Sequence, residues 1–181
     1  MTKRRDRALD AAVELVGTEG IRALTHARVD ERAGLPKGST SNYFRTRQAL
    51  VAGVVDRVLE RERPQIGATF SPPATADEFV ERLAGILDFI SRDRRTETTA
   101  RLVLFMEASH DAELREVLSR GRATLEATLV LALANLGARD PAAATAALAA
   151  CLEGLLLHRI GRHDYSDPRP VLDLVVRGAL R

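Results

Sequence analysis

The chain has 181 residues, a formal net charge of +2 and a single cysteine, Cys151. This length allows one large domain or two small ones with a genuine core. One cysteine excludes an internal disulfide framework, and the N-terminal segment lacks the apolar core of a signal peptide, so we expect a cytoplasmic protein.

Charge is unevenly distributed along the chain. The first 50 residues contain ten basic and six acidic residues, a net charge of +4, and the remainder carries −2. A basic N-terminal segment on a mildly acidic body is typical of a phosphate-binding module with a separate regulatory part. The charges alone fit a solvated charged surface equally well.

Apolar residues recur at helical spacing, without strand alternation, and Gly and Pro separate the helical segments. We therefore predict an all-α fold of about nine helices. The first is expected from about Lys3 to Gly17, with Leu9, Val13 and Val16 on the face that packs behind the next two helices.

Two short helices around a tight turn are predicted between residues 24 and 50. Thr25 can cap the first of them, and Gly34 can end it. The second is expected from Lys37 to Phe44, with small and amide side chains on one side. This is the layout of a helix-turn-helix DNA reader, whose second helix lies in the major groove.

The order and spacing of seven residues here resemble the DNA-binding domain of the TetR family of bacterial repressors; they are Ala33, Gly34, Lys37, Gly38, Tyr43, Phe44 and Leu50. The chain departs from the family pattern at Thr40, where an apolar residue is usual, and at Ser41, where an aromatic one is usual. We interpret both departures as a change in base preference. The resemblance implies a DNA-binding regulator with a helical body.

Side chains of the predicted reader are assigned to two kinds of DNA contact. Thr25, Tyr43 and Arg47 are placed to bind phosphate, whereas Asn42, and after it Ser39, would read base edges. A solvated polar residue is the alternative reading of Asn42. The complete predicted DNA-binding set is Thr25, Lys37, Gly38, Ser39, Thr40, Asn42, Tyr43 and Arg47.

A fourth helix is expected from about Thr46 until Pro64 kinks or stops it. It would connect a DNA-binding domain of residues 1–46 with a ligand-binding and dimerisation domain of residues 47–181. Capping signals then predict helices that open near residues 75, 141 and 168. Two more helices are expected from about Thr96 to Ser109 and from about Ala112 to Leu136.

The eighth helix is apolar nearly all round, so it must bury two faces. One face can meet the body's core and the other a second copy of the chain, where the resemblance also places a four-helix dimer interface. The run from Pro141 to Leu157 is interpreted as too short and too interrupted for a membrane span. The predicted interface residues are Ala147, Cys151, Leu155, Leu172, Val175 and Val176.

Dimerisation would place two readers on an inverted-repeat (palindromic) operator in double-stranded DNA. The resemblance also implies a small-molecule effector among helices five to eight. From the charge split and the size of the body, we predict that such a ligand releases the DNA by tilting helix four. Ordinary core packing is the alternative for every lining residue. The candidate lining is Leu83, Leu87, Leu102, Phe105, Met106, Leu125, Leu129, Leu152 and Leu156.

Two other classes of function remain as alternatives. An enzyme or metal protein is disfavoured, because His158 and His163 lie about 140° apart on a helix and Cys151 has no neighbouring base. We therefore expect no cofactor, no metal and no catalytic residue. A constitutive DNA-binding protein without an inducer stays open, since the sequence does not separate it from a regulated repressor.

Overall fold

The computed structural model describes the backbone of residues 2–69 and 73–181. The described residues form nine α-helices and two short 3₁₀ turns, Ile21–Ala23 and Ala108–His110, with no strand, so the all-α prediction is confirmed. The helices are α1 Thr2–Glu19, α2 His26–Ala33, α3 Ser39–Tyr43, α4 Arg47–Thr69, α5 Ala76–Arg92, α6 Arg95–Glu107, α7 Ala112–Asn135, α8 Pro141–Gly161 and α9 Arg169–Ala179.

Side chains cap the helices where the sequence predicts. Thr25 Oγ1 accepts a hydrogen bond from the backbone N–H of Arg28 at the start of α2 (3.3 Å). Thr75 caps α5 and Asp140 caps α8 in the same way, through bonds of 3.1 and 3.0 Å. Each cap satisfies one of the N–H groups that a helix start leaves without a partner.

Two helices differ in extent from the prediction. The second reader helix is shorter than expected, because Lys37 and Gly38 belong to the preceding turn and Phe44 has already left the helix with extended backbone angles. α4 does not stop at Pro64 but continues to Thr69. Proline removes one backbone hydrogen bond and crowds the carbonyl of the preceding turn, and α4 continues despite both costs.

The described chain divides into two compact units, 1–63 with 95–121 and 64–94 with 122–181. The first unit therefore contains the reader helices, α6 and the beginning of α7. The second contains α5, α8, α9 and the rest of α7. The functional boundary at residue 46 stays a prediction.

α1 is the central helix of the first unit and packs against α2, α3 and α6. Leu9, Val13 and Val16 are buried in its core, together with Leu50 and Leu104. The approach of α1 to α6 is close, since a Cβ on Gly17 would overlap the backbone carbonyl oxygen of Thr96. Only glycine permits this packing at that position.

An ion-pair network joins three helices of the first unit. The Asp10 carboxylate on α1 lies 2.7 Å from both Arg57 and Arg61 of α4, and Arg61 also lies 3.4 Å from Glu97 of α6. The hydrogen bond that Arg57 donates to the Asp10 carboxylate raises the pKa of Arg57. These side chains are partly exposed, and exposed ion pairs add little to the free energy of unfolding. The network therefore serves mainly to orient the three helices.

The second unit is built on contacts of α5 with α8 and α9. Its core contains Phe79, Leu83, Leu133, Leu148 and Leu172 among other apolar side chains. Such a core holds one face of each helix and leaves the opposite face to solvent or to a partner.

A buried arginine fixes the end of α8 within this unit. Arg159 is 2% exposed, and its Nη1 donates to Asp88 Oδ1 at 2.6 Å and to Ser91 Oγ at 3.1 Å. The guanidinium groups of Arg92 and Arg159 lie 4.4 and 6.0 Å from the centre of the Tyr165 ring. A buried cation needs such partners, so this joint holds α5, α8 and the following loop together.

By length and composition, α8 is long and apolar enough to cross a membrane. The expectation that this run is too short was wrong, because the helix extends to Gly161. α8 contributes Leu148 and Leu156 to the core of the second unit. A helix that packs in a protein core can be as long and as apolar as a helix that crosses a membrane, so these two properties do not distinguish the two cases.

Candidate nucleic-acid interface

Two glycines with left-handed backbone conformation shape the turn between α2 and α3. Gly34 ends α2 with φ 59°, and Gly38 starts α3 with φ 89°. Residues with a Cβ rarely adopt this backbone conformation, which accounts for glycine at both positions. The turn sets α3 against α2 as a helix-turn-helix requires.

The Asp30 carboxyl group holds the start of α3. Its Oδ1 accepts hydrogen bonds from the backbone N–H of Thr40 at 2.8 Å and from Thr40 Oγ1 at 2.5 Å. Its Oδ2 accepts from the backbone N–H of Gly38 at 2.7 Å. Asp30 is 3% exposed, so these bonds form away from water and one carboxyl group serves as the N-terminal cap of the reader helix.

Thr40 is fully buried, so its predicted role as a DNA contact is wrong for this conformation. Its hydroxyl donates to Asp30 instead of facing the groove. The hydrogen bond to Asp30 gives a structural reason for threonine at this position. Asp30 is one of the six acidic residues among the first 50, and nothing in the sequence separates it from the surface charges.

The other end of α3 is also attached to α2. His26 Nε2 lies 2.6 Å from the backbone carbonyl oxygen of Phe44, the residue that follows α3. With Asp30 at the start of α3 and His26 at its end, α2 holds both termini of the reader helix. A helix of five residues has little stability of its own and needs such anchors.

The predicted contacts differ in exposure. Thr25, Lys37, Gly38, Asn42 and Arg47 are exposed, whereas Ser39 and Tyr43 are half-buried. Ser39 Oγ donates to the Pro36 carbonyl oxygen at 2.5 Å, so its proton is used within the turn. Ser41, which was absent from the predicted set, is exposed beside Asn42.

Internal ion pairs use two of the N-terminal arginines. Arg28 lies 2.5 Å from Glu19, and Arg32 lies 2.7 Å from both Glu14 and Glu19. The hydrogen bond from Arg28 is the largest cause that lowers the pKa of Glu19. These pairs bind α2 to α1 and leave Lys37, Arg45 and Arg47 as exposed cations around α3.

The predicted dimer residues fall into two groups. Leu172 and Val176 are fully buried in the core of the second unit, so assigning them to an interface was wrong. The inward face of α9 packs on α5 and α8, and this contact decides which side is covered. Ala147 is exposed, and Cys151, Leu155 and Val175 are half-buried.

The predicted ligand lining is divided between the two units. Leu83, Leu87, Leu129 and Leu156 are packed in the core of the second unit, with Leu125 and Leu152 at its margin. Leu102, Phe105 and Met106 belong to α6 in the first unit, where Phe105 is 49% and Met106 67% exposed. Within the second unit these leucines belong to one apolar core, and their role as a ligand lining stays a prediction.

Cys151 and the acidic and histidine side chains give little support to enzyme or metal chemistry. Burial raises the pKa of the Cys151 thiol, which disfavours the nucleophilic thiolate. In the part of the chain that the structure describes, no group of three or more His, Cys, Asp or Glu side chains could hold a metal ion.

The bond between Asp30 and Thr40 can be measured by a double-mutant cycle in urea unfolding. Asp30→Ala should lower the free energy of unfolding by about 3 kcal/mol, because buried N–H and O–H groups lose their acceptor. Thr40→Val should cost about 1 kcal/mol. The double variant should lose less than the sum, since the valine side chain leaves no hydroxyl to satisfy.

The matched control is Glu31→Ala, which removes an exposed carboxylate from the next position of α2 and should change stability by less than about 0.5 kcal/mol. Additive losses in the cycle would contradict the hydrogen bond between the Thr40 hydroxyl and Asp30.

Family models match both parts of the chain. Residues 8–54 match the bacterial regulatory proteins of the tetR family, and residues 74–181 match the tetracyclin repressor-like C-terminal domain. The HTH-type transcriptional regulator BetI of Rhizobium meliloti (strain 1021) is 27% identical over 158 residues, which cover 86% of this chain and 77% of that protein. BetI of Brucella suis is 24% identical over 174 residues, 95% of this chain and 87% of that one.

Solved structures show the same fold over almost the whole chain. A putative TetR-family transcriptional regulator from Rhodococcus sp. superposes with a TM-score of 0.82 at 22% identity, covering 99% of this chain and 100% of that one. The multidrug binding protein EbrR complexed with ethidium gives 0.78 at 27% identity, with 97% and 98% covered. A putative regulator from Saccharomonospora viridis in complex with choline gives 0.80 at 15%, with 98% and 95% covered.

These matches agree with the geometry of the reader helix and its anchors. The C-terminal model alone spans more than half of the chain, and the N-terminal model contains the whole helix-turn-helix. The chain belongs to the tetR family of bacterial regulatory proteins and is a DNA-binding transcriptional regulator, not an enzyme.

Proposed function

We propose that this regulator is a cytoplasmic repressor that binds an inverted-repeat operator as a homodimer and is released by a small organic cation. The observation that carries the DNA-binding part is the reader helix itself. α3 is anchored at both ends and exposes Ser41 and Asn42 between the cations Lys37 and Arg47.

Asn42 and Ser41 are the proposed base readers. Asn42 can pair with both N6 and N7 of adenine through its amide, and Ser41 offers one hydroxyl that donates and accepts. Ser39 takes second place to Ser41, because its hydroxyl is already bonded to Pro36.

Thr25, Tyr43, Lys37 and Arg47 are the proposed phosphate contacts. Arg47 Nη2 donates to the carbonyl oxygen of Ile21 at 3.1 Å, and a guanidinium group has further N–H donors for a phosphate oxygen. Such contacts fix the register of the protein on the duplex without reading its sequence.

These roles predict different effects of two substitutions on a panel of operator variants. Asn42→Ala should relax the preference at one position per half-site, with a loss of about 1–3 kcal/mol on the preferred base. Arg47→Ala should weaken binding to all sequences about equally and flatten the dependence on salt. Fluorescence anisotropy at several salt concentrations measures both. Identical effects of the two substitutions across the panel would refute the assignment.

An exposed apolar stripe on α8 and α9 supports the homodimer. Leu157 is 57%, Val171 45% and Leu174 75% exposed in the single chain. Small residues at helical spacing continue the stripe along α8 and permit close helix approach. The exposed small residues are Ala143, Ala146, Ala147, Ala150 and Gly161.

This stripe replaces Leu172 and Val176 in the proposed interface. Ala147, Cys151, Leu155 and Val175 are kept, since each is half-buried or exposed in the single chain. The two sides of α9 thus have separate tasks: one side packs in the subunit and the other meets the partner.

Leu174→Glu should weaken the dimer at least about 30-fold, because burying an uncompensated charge in the interface costs about 2 kcal/mol or more. The side chain is exposed in the single chain, so the subunit should keep its fold. Sedimentation equilibrium measures the dissociation constant. Leu131→Glu, at a 66% exposed position of α7, is the matched control and should leave the dimer intact. A monomeric unmodified chain at micromolar concentration would refute the dimer.

The effector class is proposed from two neighbours. EbrR was solved with ethidium and the Saccharomonospora viridis regulator with choline, and both ligands carry a quaternary ammonium nitrogen. The chain after Leu50 carries a net charge of −2, which favours a cation. Carboxylates and aromatic faces are the groups that bind such ligands in proteins.

Release from DNA is proposed to pass through α4 together with α6. Arg61 of α4 pairs with Asp10 of α1 and with Glu97 of α6, and Gly17 of α1 lies against Thr96. A ligand that displaces α6 would therefore move the helix behind the reader. Its differential affinity for the two states would supply the energy.

Calorimetric titration with choline and with 3,3-dimethylbutan-1-ol, its neutral carbon isostere, tests the effector class. We expect at least about tenfold tighter binding of the cation, equal to about 1.4 kcal/mol. Operator DNA should weaken that binding by the factor by which choline weakens DNA binding, since coupling is reciprocal. Equal affinities for cation and isostere would refute the cation class. Equal affinities with and without operator would favour the constitutive alternative.

A further inference from the structure

Three consecutive cations at the beginning of α1 are not used by the internal ion pairs. Lys3, Arg4 and Arg5 are exposed. Among the side chains that the structure describes, no carboxylate forms an ion pair with any of these three cations. The nearest acid in sequence, Asp6, acts on Arg57, whose pKa it helps to raise. The positive charge of this segment is therefore presented to solvent.

Two side chains hold this segment beside the reader. The guanidinium carbon of Arg5 lies 5.4 Å from the ring centre of Phe44, the residue after α3. Arg7 Nη2 donates to the carbonyl oxygen of Ala33 at 2.6 Å, at the end of α2. Residues 3 to 7 span about one helical turn, so the exposed cations lie next to both reader helices within one compact unit.

We propose that Lys3 and Arg4 bind DNA phosphates that flank the bases under α3, so that each half-site extends beyond the reader helix. This inference rests on the DNA-binding function and adds a second surface to it. Arg5 has a different task, since its stacking on Phe44 positions the segment. Phosphate contacts carry no sequence information, so the surface should add affinity without changing base preference.

The test uses the full chain and a duplex selected from random sequences by the unmodified protein, made with and without one helical turn of flanking DNA on each side. The double variant Lys3→Gln/Arg4→Gln leaves Arg5 and its contact with Phe44 in place. The slope of log K against log salt is negative. On the long duplex, each lost phosphate contact should make it shallower by about 0.9, or about 1.8 per chain. On the trimmed duplex the variant and the unmodified protein should bind alike.

Arg139→Gln/Arg162→Gln is the matched control. It removes the same charge from exposed positions of the second unit and should leave the slope on the long duplex unchanged. Circular dichroism should show unchanged thermal unfolding for both double variants.

Three results would overturn the proposal: an unchanged salt slope for Lys3→Gln/Arg4→Gln, an equal loss on the long and trimmed duplexes, or an equal loss for the control. Failure of the unmodified protein to select any DNA would instead refute the proposed function.

Discussion

The hydrogen bonds accepted by the buried Asp30 carboxyl group are the interaction on which the DNA-binding geometry depends. A five-residue helix does not persist alone in water, and α3 makes few backbone bonds of its own. Asp30 satisfies the N–H groups of Gly38 and Thr40, and His26 binds the carbonyl oxygen that follows the helix. α2 therefore determines where the exposed Ser41 and Asn42 point. Loss of this anchor would disturb every base contact together.

A positive charge is available to DNA only where its side chain is not already bound within the protein, so the number of cations alone does not describe the DNA-binding surface. Arg28 and Arg32 are paired with Glu14 and Glu19 and bind α2 to α1. Arg7 bonds the carbonyl oxygen that ends α2. The remaining cations lie on the exposed surface around the reader, and phosphate binding there is dominated by charge. The basic residues behind the net charge of +4 in the first 50 residues are thus of two kinds: some hold helices together, and the others face solvent.

Much of the fold was predictable because helix caps depend on residues that are close in sequence. Thr25, Thr75 and Asp140 cap helices as the sequence indicates, because a cap depends on neighbours three residues away. Burial of Thr40 was not predictable from the helix alone, since its partner lies ten residues earlier on another helix. The same holds for α9, which is apolar on both sides: only its packing on α5 and α8 shows that Leu172 faces inward and Leu174 outward.

The rigidity of the reader constrains how a ligand could act. α3 is fixed to α2 at both ends, and α2 is fixed to α1 by two arginines that pair with carboxylates. A distortion confined to α3 would have to break its hydrogen bonds to Asp30 and His26. A buried donor or acceptor that loses its partner destabilises the fold. Movement of the whole reader with α1 breaks none of these hydrogen bonds. In the proposed dimer, two readers would have to match the spacing of two half-sites, so such a rigid displacement would be sufficient to weaken operator binding.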